Sequence, residues 1–215
     1  RAIWICKPSD LSRGRKIFLI RDLNELTYDQ QYVIQRYVER PLCPGGYKLD
    51  LRLYVLVTSF QPLRAYLFRD GLARFGTEKY DSAATDLGNL YSHLTNSSIN
   101  KNSASYGTDK DVIGAGCKWD LRQLRRWFEQ HGLDWARMWQ RTRHLMVLTL
   151  LTLVGVVPKS PSCFELYGFD VLVDQALKPW LIEVNCSPAV GVDCDADERV
   201  KTPLVNDMLD VLELD

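Results

Sequence analysis

The chain has 215 residues, of which 27 are Lys or Arg and 27 are Asp or Glu, so its formal net charge is zero. That balance excludes a global field that would draw it to nucleic acid or to a membrane, so neither is expected as a partner and any polyanion site has to be a local cluster. Its 46% hydrophobic content is that of an ordinary globular protein, long enough for one large domain or two small ones.

Ala2 to Lys7 reads as a core-type strand running into a turn at Pro8. A chain that starts at Arg1 on such a strand is expected to be a fragment of a longer protein, with an upstream lobe missing. Leu11 to Lys16 is a basic, small-residue loop. Ile17 to Ile20 and Tyr32 to Val38 read as strands, and the turn cluster Pro41 to Gly46 follows. Leu49 to Thr58 alternates well enough for a long strand, with Leu63 to Phe68 as its partner after Pro62. Ser92 to Tyr106 is polar and loop-like. Asp120 caps a helix from Leu121 to His131 that Gly132 stops, and Asp134 caps a longer one from Trp135 to Val154. Leu145 to Val157 is strongly apolar but too short to span a bilayer, and reads as a buried helix. A strand from Tyr167 to Val173 ends at Asp174, and a second from Trp180 to Val184 follows a short polar turn. Pro203 to Leu214 reads as a closing helix with Pro203 near its first turn. The six cysteines show no CxxC pair and no close His, which argues against zinc and fits a reducing compartment. The pattern predicts an α+β fold whose central, mainly antiparallel sheet is flanked by helices.

The hairpin of residues 167–184 carries the sharpest chemistry. If it is centred on Ala176-Leu177, Asp170 lies opposite Glu183. Strand alternation then turns Glu183 and Asn185 the same way, with Ile182 and Val184 toward the core. Two carboxylates and an amide oxygen on one sheet face suit Mg²⁺, which keeps positions open for waters and nucleotide phosphates. Taken alone, an Asp/Glu pair is read more readily as the solvated face of a hairpin. Lys7 closes the first strand ahead of the loop Ser12-Arg13-Gly14-Arg15-Lys16, a means of holding phosphates with a point charge and backbone N–H groups. It is not a Walker A loop, and a solvated basic loop is the alternative reading. Gln35-Arg36-Tyr37-Val38 offers a strand edge to an adenine rim, or is a plain edge strand. Lys48, Asp50 and Arg52 alternate with Leu49, Leu51 and Leu53, so three charges share one face, lining a cleft or facing water. There, Asp50 suits ribose hydroxyls and Arg52 suits bidentate contact with phosphate or carboxylate. Arg74, Lys118 and Lys201 are isolated bases, and His93, His131 and His144 lack a partner for a nucleophilic triad.

In this order, IWICKP, SRGRKIFLI, QRYVE, KLDLRLYVLV, FRDGLARFGTEKY, HLTNSSINK, CKW and YGFDVLVD with PWLIEVNCSPA resemble the tubulin tyrosine ligase-like family, which has an ATP-grasp fold. HLTNSSINK and RFGTEKY look more like the glutamate-adding members than the tyrosine- or glycine-adding ones. The resemblance covers nearly the whole chain. It implies that roughly residues 1–60 clamp a nucleotide and residues 61–215 form the core with the metal site. It also implies that Lys7, Arg13 and Gly14 hold ATP phosphates and that Gln35, Arg36, Tyr37 and Val38 frame the adenine. Lys48, Leu49 and Asp50 would bind nucleotide, with Thr95 and Asn96 nearby, while Asp170, Glu183 and Asn185 would carry Mg²⁺. Arg74, Ser98, Lys118 and Lys201 match positions for the incoming free L-glutamate. Arg13 and Cys186 match positions that touch the acceptor, and the latter is commonly His in the glutamylating members.

The implied reaction is ATP-dependent isopeptide formation. A glutamate side chain of the acceptor attacks the γ-phosphorus, and the amine of free glutamate then attacks the acyl phosphate. Arg52, Arg74 and Glu183 are the candidate catalytic groups, acting by positioning and charge stabilisation. The implied acceptors are tubulin C-terminal tails or another acidic protein, and the implied location is cytoplasmic, on microtubules and in cilia. So acidic a partner predicts basic surface beyond that of a neutral chain, lying outside these residues.

Overall fold

The structure is a computed structural model and describes residues 2–11, 14–26, 30–81, 86–107, 113, 117–160 and 163–213. The chain forms two compact units, Arg1–Leu49 with Arg74–Cys117, and Asp50–Ala73 with Lys118–Asp215. Neither is a continuous segment, because the division falls inside two long strands.

In the first unit, β1 (Trp4–Pro8) pairs antiparallel with both β2 (Phe18–Ile20) and β3 (Tyr32–Arg36), in the order β2-β1-β3. The third strand stops short of Tyr37 and Val38. The Tyr37 side chain turns inward and joins Ile3, Ile5, Leu19 and Leu94 in the core of this unit. The 92–106 stretch is not simply a loop: it holds two short helices, α1 (Leu90–His93) and α2 (Ser97–Asn100). Buried Asn100 pins them. Its Oδ1 accepts from the N–H and the hydroxyl of Thr77 (2.9 and 2.8 Å), and its Nδ2 donates to the carbonyls of Leu94 and Asn96 (2.9 and 3.1 Å). No periodicity signals such a residue, since its role is to satisfy backbone groups that a loop leaves unpaired.

The second unit is built on β4 (Leu49–Phe60), β5 (Leu63–Phe75), β6 (Lys118–Asp120), β7 (Glu165–Val173) and β8 (Pro179–Cys186), in the order β6-β5-β4-β7-β8. The strands β4 and β5 run farther than their patterns predict, to Phe60 and Phe75. The fold is thus α+β as expected, with a five-stranded central sheet and a second, three-stranded one. Helices α3 (Leu121–Gln130) and α4 (Trp135–Leu151) follow β6, and α5 (Asp195–Leu212) follows β8. Asp120 caps α3 by accepting from Gln123 N–H at 2.8 Å while Gln123 Oε1 accepts from Asp120 N–H at 3.0 Å, a reciprocal capping box. Asp134 caps α4 through Arg137 N–H at 2.9 Å.

Each sheet face has its own cover. Tyr54 is buried against Leu72 and against Ala196, Val200 and Leu204 of α5. Arg52 lies two residues away on the same face. On the other face, Leu53 and Leu121 of α3 both crowd Gly71, where an added Cβ would sit 2.7 Å from the Arg52 carbonyl oxygen. The helix α5 starts eight residues before its predicted position, so Pro203 lies inside it rather than at its first turn. The acidic residues Asp195, Asp197 and Glu198 fill the real first turn, where the helix dipole favours them.

The apolar segment Leu145–Val157 departs from expectation. Met146 and Leu150 are buried, but Val147, Leu148 and Leu151 are 50, 63 and 48% exposed. A helix spaces neighbours by 100°, so a continuous apolar run faces outward as well as inward, and only one side of α4 meets the sheet. Among the described residues, no helix is long and apolar enough to cross a membrane.

Asn100→Ala should leave the Thr77 donors and the two carbonyls without this partner. The expected loss is about 1–3 kcal/mol of unfolding free energy, read as a lower urea midpoint at unchanged slope.

Candidate active site

The β7–β8 turn sets the register of the acidic pair. Asp174 Oδ1 accepts from the N–H groups of Ala176 and Lys178 (2.8 and 3.0 Å), and its Oδ2 accepts from Trp180 Nε1 (2.9 Å). Val173 then faces Pro179, Leu172 faces Trp180 and Val171 faces Leu181, a hairpin centred one half-step before the predicted point. The register shifts between Asp170 and Val171, which leaves Ile182 as the extra residue of a bulge and brings Glu183 opposite Asp170. The expected pairing therefore occurs, but through a bulge that strand alternation alone does not reveal. Ile182 and Val184 are half-buried rather than core.

The row extends one strand further. Arg52 on β4 lies directly across from Asp170. Its guanidinium grips that carboxylate with both arms, Nε to Oδ1 at 2.5 Å and Nη2 to Oδ2 at 3.0 Å. Arg52, Asp170 and Glu183 thus form one cross-strand row on the α5-bearing face. Asp170 is buried and Glu183 exposed. One row along, Asn185 faces Gly168, and its Nδ2 donates to the Gly168 carbonyl at 3.3 Å. Gly168 has to be glycine here, because a Cβ would stand 2.7 Å from Pro188 Cβ and 3.3 Å from Arg52 Cδ. The donor set is two carboxylates and an amide oxygen. These are hard oxygen ligands of the type that leaves a divalent cation several positions for water and phosphate, so the residues fit Mg²⁺ in kind. Among the described residues, no group of three His, Cys, Asp or Glu side chains is placed to hold a metal. Arg52 takes one hydrogen-bonding position on each Asp170 oxygen.

On the same face, α5 brings in a second constellation. Asp197 is fully buried, and both its oxygens meet lysines: Oδ2 is 2.5 Å from Lys118 Nζ, and Oδ1 is 2.8 Å from Lys201 Nζ. Lys118 also lies 3.9 Å from Asp193, and Lys201 donates to the Gly191 carbonyl at 2.5 Å. Burial alone would raise the Asp197 carboxyl, but hydrogen bonds and charge from the two lysines outweigh it and hold the group below its ordinary value. So Lys118 and Lys201, distant in sequence, do come together, and the residue that joins them was missed. Its signal was available: Asp197 stands four residues before Lys201, one helical turn, once α5 begins at Asp195.

The remaining predicted residues lie in the first unit, apart from Asp50 and Cys186. Lys7 Nζ donates to Gln35 Oε1 at 2.9 Å. Arg36 is exposed and Val38 half-buried. Gly14, at φ +74°, approaches α2 so closely that a Cβ would collide with Ile99 and sit 3.2 Å from Asn96 Oδ1. Arg13 lies outside the described residues. Lys48, expected on a strand face, precedes β4 and is buried. Its Nζ donates to Tyr37 Oη at 3.0 Å and to the His93 carbonyl at 2.7 Å. Tyr37 Oη stands 3.0 Å from His93 Nδ1, and His93 Nε2 stands 3.2 Å from the Asp86 carbonyl. Burial lowers the His93 pKa, so the ring is neutral at pH 7 with its proton on Nε2, the tautomer this network selects. Leu49 and Asp50 are buried, Thr95 and Arg74 half-buried, and Ser98 exposed on α2. Cys186 is exposed at the end of β8, and all six cysteines are free.

The chain belongs to the tubulin-tyrosine ligase family, whose fold is ATP-grasp-like; that family's description matches residues 1–214. It is 48% identical over 211 residues to the human protein called probable tubulin polyglutamylase TTLL2, covering 98% of this chain and 35% of that protein. It is 40% identical over 222 residues to human tubulin polyglutamylase TTLL5 (99% of this chain, 17% of that protein). Identity is 35% over 228 residues to the Tetrahymena thermophila protein called probable alpha-tubulin polyglutamylase Ttll1 (98% and 54%). The chain therefore spans about a third of the first of these relatives and a smaller or larger part of the others.

Asp197→Asn removes the charge that two buried lysines share. It should cost about 3–5 kcal/mol of stability at neutral pH. Because the native carboxyl is depressed, its contribution is fully present above the ordinary value of 3.8 and is lost as pH falls through the lowered native one. Denaturation of wild type and variant across pH 2 to 7 should show the two curves converging only at the acid end.

Proposed function

We propose that this chain is the nucleotide-, metal- and glutamate-binding part of an ATP-dependent protein–glutamate ligase that forms an isopeptide bond on a glutamate side chain of an acidic acceptor. The acceptor is proposed to be a tubulin C-terminal tail. The observation that carries the reading is the cross-strand row of Arg52, Asp170 and Glu183, with Asn185 one row along. The names of the relatives support the choice of glutamate and tubulin.

In this reading the residues act by position and charge. Lys7 and Lys48 with Arg13 and Gly14 bind the phosphates of ATP. Gln35 to Val38 border the base, with Leu49, Asp50, Thr95 and Asn96 beside the nucleotide. Asp170, Glu183 and Asn185 would hold Mg²⁺, which when bound supplies charge neutralisation for the β- and γ-phosphates. Arg52 keeps guanidinium donors beyond those on Asp170, and these meet the transferring phosphoryl group. The acceptor carboxylate attacks the γ-phosphorus and ADP departs. The unprotonated amine of free glutamate then displaces phosphate from the acyl phosphate. Lys118 and Lys201, with Arg74 and Ser98, bind the carboxylates of that glutamate. Arg13 and Cys186 face the acceptor. A cytoskeletal location, on microtubules and in cilia, follows from the same reading.

Glu183→Gln removes one negative charge at nearly constant volume. Mass analysis of tubulin tails after incubation of the full-length protein with ATP, Mg²⁺ and glutamate should show no added mass for this variant and added glutamate for the wild type. Normal turnover by the variant would remove the metal assignment. Lys201→Ala takes away a charge-assisted hydrogen bond, worth about 1.5–3 kcal/mol. It should raise the glutamate KM roughly tenfold or more while the ATP KM stays unchanged. Equal glutamate dependence, or a wild type that prefers glycine or tyrosine, would reject the pocket.

A further inference from the structure

The face of α4 turned away from the sheet is unlike the rest of the surface. Arg137, Arg141, His144, Val147, Leu148 and Leu151 recur at three- and four-residue intervals and so form one outward stripe. The inward stripe, Met138, Thr142, Met146 and Leu150, is buried. The outward stripe is basic in its first half and apolar in its second, where the three large side chains are about half exposed or more. Beyond the end of α4, Val154 and Val156 are also exposed, at 40 and 73%.

Two observations separate this stripe from an ordinary solvated face. Residues 121–151 contain six arginines, no lysine and only two carboxylates, in a chain whose net charge is zero. Both carboxylates are engaged: Glu129 holds Arg125 at 2.9 Å, and Asp134 caps α4. Arg137 and Arg141 make no ion pair among the described residues. Arginine without lysine, set beside exposed aliphatic side chains, is the composition of a protein interface, where guanidinium groups pair with carboxylates bidentately.

We propose that this stripe of α4 docks the folded body of an acidic acceptor protein. Acceptor carboxylates would pair with Arg137 and Arg141, and acceptor apolar side chains would cover Val147, Leu148 and Leu151. The proposal rests on the reading above that the acceptor is acidic, and it places basic surface within this chain rather than outside it. It also separates two tasks: α4 holds the body of the acceptor, while the modified glutamate reaches the chemistry on a flexible segment.

The test uses the full-length protein with two exposed-surface variants, Arg137→Glu with Arg141→Glu, and Leu148→Asp. Their binding to tubulin dimers is titrated at two salt concentrations, and glutamate transfer to a short glutamate-rich peptide is measured in parallel. The expected result is a tenfold or greater rise in the tubulin Kd for both variants. The salt dependence should weaken in the charge-reversed one, and the peptide reaction should proceed at the wild-type rate. Unchanged tubulin affinity in both variants, or no tubulin binding by the wild type, would overturn the proposal. So would a concentration-dependent mass that the variants abolish, which assigns the stripe to a second copy. Loss of anionic phospholipid vesicle binding with tubulin binding intact would also overturn it. So would a lower melting temperature with tubulin binding intact, which marks a stripe covered by another part of the chain. A wild type that binds tubulin through the stripe yet transfers no glutamate would reject the proposed reaction and leave the docking surface standing.

Discussion

The two-armed contact between Arg52 and Asp170 is the constraint on which the second unit turns. It joins neighbouring strands at the centre of a sheet, on the face that carries α5. A slip of one residue between β4 and β7 would send the arginine to the leucine face and leave a buried carboxylate without its counter-ion. The penalty for that error far exceeds the net stability of the pair itself, since a buried ion pair roughly offsets its own desolvation. The contact therefore selects the register more than it adds to stability. The same contact aims the buried Asp170 carboxylate along the row.

Glu183 is held differently. It reaches the row through a bulge and stays exposed, whereas Asp170 is buried and clamped by a guanidinium. Asp197 repeats the logic with signs reversed, one anion clamping two cations. In both places a charge is stored beside its opposite and can be used only in part without dismantling the pair.

Much of this was legible in the sequence. The β7–β8 hairpin announces itself through two short apolar runs on either side of a polar turn, so the pairing of Asp170 with Glu183 follows from counting. The caps of α3 and α4 were equally plain, because Asp120 and Asp134 stand just before helical patterns. What failed was longer in range. The start of α5 was missed because Pro203 mimics a first turn, and with that start went Asp197. Tyr37 reads from the sequence only as part of a strand edge, and its buried hydroxyl is satisfied from within by Lys48 and His93, partners that no local pattern reveals. The outer side of α4 misled in the opposite sense. Its apolar composition reads as burial, but only the spacing of Met138, Thr142, Met146 and Leu150 reports which side the sheet covers.

The network around Lys48 has a property that no single bond in it shows. Hydrogens run one way, from the ammonium to the Tyr37 oxygen, from that hydroxyl to the neutral His93 ring, and from the ring to the Asp86 carbonyl. The chain begins at a group that can only donate and ends at one that can only accept, which sets the direction of the bonds between them. Such an arrangement is dielectrically stiff: it cannot reorient to screen a new charge, as water would. An anion brought near Lys48 therefore feels a positive end that was fixed before it arrived, at no reorganisation cost when it binds.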